Sequence, residues 1–154
     1  MTEYYKEKLE QGLQFQDFVT DILFNELFIP ISTYQSKKYQ LKGENKQGIE
    51  IKFDGRYKET GNLYIEISEK SDPRNMNYVD SGIHRKDNTW LYIIGDYSIL
   101  YIFGKTILRA MYLSGNYKKV SIPTSMGFLI PKKDAEKYSL KIIKIENAAN
   151  YLKD

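Results

Sequence analysis

Two consecutive runs with apolar side chains at every second position constrain this chain more than any other feature. Between Gly48 and Ser71, Ile49, Ile51 and Phe53 share one parity, and Glu50, Lys52 and Asp54 share the other. The second run repeats the pattern, with Leu63, Ile65 and Ile67 set against Tyr64, Glu66, Ser68 and Lys70. A period of two belongs to strands, because successive side chains on an extended backbone point to opposite faces. The intervening DGRYKETGN is rich in turn formers, so the pair reads as a β-hairpin with one apolar and one acidic face. A symmetric turn centred near Lys58 would set Glu50 opposite Glu66, whereas a lopsided loop or bulge would bring Asp54 towards Glu66.

The rest of the chain supplies the elements around that pair. In LEQGLQFQDFVTDILFNELF, Phe15, Phe18, Val19, Ile22, Leu23 and Leu27 form the stripe of an amphipathic helix, with Pro30 just past its end. A polar connection follows, with a short strand expected around Tyr39 to Leu41. After the hairpin, SDPRNMNYVDSGIHRKDN reads as a long loop, and loops of this length in compact domains often carry function. TWLYIIGDYSILYIFG reads as a second hairpin turning at Gly95-Asp96, and KTILRAMYLSG as a helix closed by Gly115. The tail suits a short strand, a helix opening near Asp134 and a further apolar run. No linker or repeat divides the 154 residues, which reads as one domain. The expected class is α/β or α+β: an N-terminal helix and a central antiparallel or mixed sheet of two hairpins, flanked by helices.

Acids alternating along a strand are ordinary on the wet face of an antiparallel sheet, where Glu50, Lys52, Glu66 and Lys70 would form cross-strand ion pairs. Carboxylates that converge repel one another unless a cation lies between them. The absence of cysteine excludes thiolate sites, and the single histidine, His84, excludes a multi-histidine zinc site within one chain. Any metal is therefore expected on oxygen ligands, which favours Mg²⁺, Mn²⁺ or Ca²⁺. Twenty-three Lys+Arg against twenty Asp+Glu leave +3, which permits a nucleic-acid partner only if the positive charge clusters. With no basic-then-apolar leader and no run long enough to span a bilayer, a cytoplasmic protein free of membranes is the expectation.

A helix, a strand ending in Asp54, eleven intervening residues, and Glu66 inside the next strand: this order resembles the PD-(D/E)XK nuclease superfamily over about Leu13 to Leu108. The resemblance implies a restriction-endonuclease-like core and a metal-dependent phosphodiesterase acting on DNA, of a size that suits a phage or mobile-element protein. Phe53 stands where the signature has proline. Ser68 stands where it has lysine, and Lys70 lies two residues further on. The implied catalytic residues are Asp54, Glu66, Lys70 and Ser68. Asp54, Glu66, the Ile67 carbonyl and Glu50 would hold Mg²⁺ or Mn²⁺, with Gln16 as the polar contact from the helix.

Arg74, Arg85, Lys86 and Lys105 are the candidate contacts to the phosphate backbone. A homodimer would give the two sites that cutting both strands of a duplex requires. Serine in the lysine place favours an alternative, an inactive nuclease-like module that binds nucleic acid or a protein.

Overall fold

The computed structural model describes residues 2–30 and 47–150. The strand expected near Tyr39 lies outside them. Helix α1 (Glu3–Leu27) starts where Thr2 Oγ1 accepts the Tyr5 N–H at 3.2 Å. It ends at Phe28, whose left-handed backbone (φ 56°) lets its N–H reach the Phe24 carbonyl. Phe15, Phe18, Val19, Ile22 and Leu23 are the buried stripe that the periodicity predicts.

The strands form two four-stranded sheets rather than one. In the first, β1 (Ile49–Phe53), β4 (Leu91–Gly95), β5 (Ile99–Gly104) and β8 (Lys141–Lys144) lie in that order, with β1 parallel to β4 and the other pairs antiparallel. In the second, wholly antiparallel, the order is β3 (Val79–Asp80), β2 (Asn62–Glu69), β7 (Ser125–Pro131) and β6 (Lys119–Ile122). Three helices connect strands: α2 (Tyr57–Thr60), α3 (Lys105–Ser114) and α4 (Lys132–Tyr138). Single 3₁₀ turns occupy Gly82–His84 and Ala148–Asn150.

Side chains of β4 and β5 alternate between two cores. Ile93, Leu100 and Ile102 pack with Ile49 and Ile51 beneath α1. Tyr92, Ile94, Tyr101 and Phe103 point the other way and join Leu63, Ile65, Phe128 and Ile130 between the sheets. The second hairpin therefore forms as expected, and Asp96 closes it by accepting the N–H groups of Ser98 and Ile99.

The first hairpin does not form. Glu50 pairs across the ladder with Tyr92, and Glu66 with Gly127, so the two acids belong to different sheets. Period two correctly marks both runs as strands, but it says nothing of their partners. Both faces of β1 are covered at Ile49–Ile51, one by α1 and the other by the inter-sheet layer. A parallel neighbour suits a strand buried on both sides.

Candidate nucleic-acid interface

Asp54 follows β1 directly and keeps its register, its N–H bonding the Gly95 carbonyl at 2.8 Å. Its carboxylate leaves the first sheet and reaches β2. Oδ2 accepts the Tyr64 N–H at 2.8 Å, and Oδ1 accepts the Arg56 N–H at 3.2 Å. Burial raises the Asp54 carboxyl above its ordinary range, against the opposing pull of those backbone donors. Asp54 thus lies beside the strand of Glu66, the contact that a lopsided loop was expected to make, but as a strap between sheets rather than within a hairpin.

A bulge follows Glu66 in β2. The register of β2 on β7 shifts between Glu66 and Ser68, so Glu66 opposes Gly127 and Glu69 opposes Ser125. Residues 125 and 127 share a face, which makes Glu69 the neighbour of Glu66 there and places Ser68 on the opposite one. Lys70, expected beside Glu66 on a regular strand, falls out of that alternation. Its ammonium lies 4.8 Å from the centre of the Tyr78 ring instead. Glu66 Oε1 accepts the Ser81 hydroxyl at 2.8 Å, and the Ile67 carbonyl accepts the Ser81 N–H at 3.0 Å.

Glu50 lies elsewhere again. Only 2% exposed, it faces the inter-sheet layer, its Oε1 2.8 Å from Lys52 Nζ. The neighbouring Tyr92 hydroxyl is raised well above its usual range by burial and by the Glu50 charge. Of the ligand set expected for Mg²⁺ or Mn²⁺, Glu50 therefore lies in a different sheet from Glu66, while Asp54 bonds the strand that carries Glu66. Among the described residues no group of three or more His, Cys, Asp or Glu side chains is placed to hold a metal ion.

Three of the four expected phosphate contacts are paired with acids of this chain, Arg74 at the surface and Lys105 in the interior. Arg74 makes a two-pronged pair with Asp72 through Nε and Nη2, and Arg85 reaches Glu69 at 3.3 Å. Lys105 is buried, its Nζ donating to the Arg85 carbonyl at 2.8 Å and to Asp87 Oδ1 at 3.0 Å. Lys86 is exposed. His84 packs edge-on against Tyr112.

A different basic surface appears where α1 lies beside β1, the outermost described strand of the first sheet. A groove of about 760 Å³ runs between them, lined by Lys8, Lys52, Arg56 and three glutamines that include Gln16. Phe53, Gly55 and Tyr97 complete the aromatic end. Among the described residues no carboxylate lines it, but Glu50 pairs with Lys52, Glu59 lies 4.0 Å from Arg56, and Glu7 and Glu10 accept from Gln11 and Gln14. Sequence reasoning places Gln16 on the helix face that meets this strand but misses the groove, because its walls come from residues 8–16, 51–56 and 97. No spacing in the chain announces their meeting.

The fold and this surface define a mixed α/β protein with its N-terminal helix laid on two stacked sheets and a basic groove between that helix and β1. Searches of protein-family profiles, curated proteins and solved structures find no match for this chain. Among the described residues no helix is long and apolar enough to cross a membrane.

Proposed function

We propose that this domain binds the phosphate backbone of DNA along the groove between α1 and β1. One observation carries the reading: among the described residues that line this concave surface are three cations and three amide side chains and no carboxylate, the nearby acids Glu7, Glu10 and Glu59 being held against Gln11, Gln14 and Arg56. Clustered Lys and Arg gain affinity from phosphates by releasing condensed counterions, and glutamine amides add sequence-independent hydrogen bonds. A modest net charge of +3 suffices when the positive side chains are gathered in this way. The reading also accords with a nuclease-like layout used for binding. The test is fluorescence anisotropy with a labelled oligonucleotide over a salt series. Reversing Lys8 and Arg56 together (K8E/R56E) should weaken binding and reduce the slope of log K against log salt by about one per contact removed. Unchanged affinity and slope in a folded double variant would overturn it.

A second reading, metal-dependent phosphodiester hydrolysis relying on Asp54 and Glu66, is favoured by the position of Asp54 between groove-lining Phe53 and Gly55. The upward shift of that half-buried carboxyl, caused mainly by desolvation, adds to it. Circular and branched DNA incubated with Mg²⁺ or Mn²⁺ separates the two. Cutting by wild type that is lost in both Asp54→Ala and Glu66→Ala would establish hydrolysis. DNA binding without cutting would leave the groove as a binding surface alone.

A further inference from the structure

We propose that the groove selects single-stranded DNA, with bases stacking on an aromatic platform made by Phe53 and Tyr97; this rests on the backbone-binding reading above. Phe53 ends β1, is 37% exposed, and its ring belongs to an aromatic cluster. Its ring centre lies 4.9 Å from that of Phe15 and 5.6 Å from that of Tyr97, which meets it edge to face. Tyr97 is in turn packed on Phe18 at 4.6 Å and on Phe15 at 5.4 Å. The two groove rings are therefore held from behind by two fully buried phenylalanines. A platform fixed in this way orders few new degrees of freedom when a base lands on it.

Gly55 keeps that platform accessible. A Cβ at this position would sit 3.2–3.3 Å from the Phe53 ring atoms Cζ and Cε1, so any larger residue would crowd the ring. Lys8 and Arg56 lie in the same groove as the rings, within one concave surface. Cations that track a backbone beside aromatic faces that receive bases are the combination by which single strands are bound without sequence readout. A duplex cannot use the rings, because its bases are already stacked on one another. The chain thus has a physical reason to prefer unpaired DNA, and the preference resides in side chains separate from those that contact phosphate.

The experiment compares three labelled probes on the full chain by anisotropy at one salt concentration: a single-stranded oligonucleotide, its duplex, and an abasic strand of equal length. Wild type should bind the single strand more tightly than either of the others. Phe53→Leu, which keeps an apolar side chain on the core, should weaken single-strand binding roughly five- to a hundredfold and leave the abasic strand unaffected. Gly55→Leu is a second variant that covers the ring without removing it, and it should have the same selective effect. Circular dichroism and Tm confirm that each variant is folded. Equal binding of single, duplex and abasic probes by wild type would overturn the stacking proposal while leaving the phosphate reading intact. So would an unchanged ratio of single-strand to abasic affinity in both variants. Binding of no probe at all would overturn both.

Discussion

Lys105 opens α3, a position that in the sequence suggests either a solvated charge or a contact to phosphate. In the folded chain it is 7% exposed and paired with Asp87, whose side chain is 1% exposed. Burial pushes the Asp87 carboxyl up, but the Thr89 N–H and the Lys105 ammonium together bring it below its ordinary value. A carboxylate of that kind contributes stability above the unfolded-state value and loses it as pH falls through the lowered one. Lys105→Met would leave a buried charge alone, so it should cost about 3–5 kcal/mol in urea unfolding at neutral pH. The gap should narrow on acidification, as the stranded Asp87 takes up a proton. A cost below about 1 kcal/mol would mean that the pair is effectively solvated. Asp54 has the opposite sign. Its folded carboxyl is raised above 3.8, so ionisation favours the unfolded chain as pH climbs through that value towards the raised one. Wild type should therefore lose stability relative to Asp54→Asn over that window. Denaturation curves at several pH values would refute this if the difference were flat.

At the scale of elements, two glycines with positive φ separate local strain from packing. Gly82 (φ +52°) opens the 3₁₀ turn beside β2, and a Cβ there would lie 2.1 Å from the Glu66 carbonyl oxygen. Gly115 (φ +71°) closes α3 with nothing within 4 Å of where a Cβ would stand. Alanine at 115 should show only the left-handed backbone cost, about 1 kcal/mol at the low end of the range for strained residues. Alanine at 82 must also push apart the turn and the strand, and should lower the melting temperature by a clearly larger amount. Equal losses at the two sites would contradict the close approach. The same element comparison shows what the sequence reveals. The Gly115 stop and the α3 span are visible from one local pattern, as are α1 and the β4–β5 turn at Asp96. The bulge in β2 is not, because Ile67 looks like any other member of its apolar run. Its extra residue is defined only by the partner strand β7, and it decides which side chains share a face with Glu66.

Across the whole molecule, β4 and β5 serve two cores at once, so neither α1 nor the second sheet has a core independent of them. Far-UV circular dichroism, weighted towards α1, and near-UV tyrosine signals should therefore report one coincident thermal transition. Separate midpoints would show that the α1 layer detaches first. What the sequence alone determined is the set of elements with short-range causes: an amphipathic stripe of period 3.6, strand runs of period two, a turn aspartate, a helix-ending glycine. Each depends on neighbours a few residues away, which a single chain displays. Tertiary structure alone decided that β1 pairs in parallel with β4 while β2 joins the other sheet. It set Glu50 and Glu66 in different sheets, and it brought Lys8, Phe53, Arg56 and Tyr97 to one groove. Alternation is indifferent to partner, because any neighbouring strand satisfies the same backbone donors and acceptors. The choice falls to burial: β1 makes its apolar contacts with α1 through Ile49 and Ile51, and its other face buries Glu50 beside Tyr92.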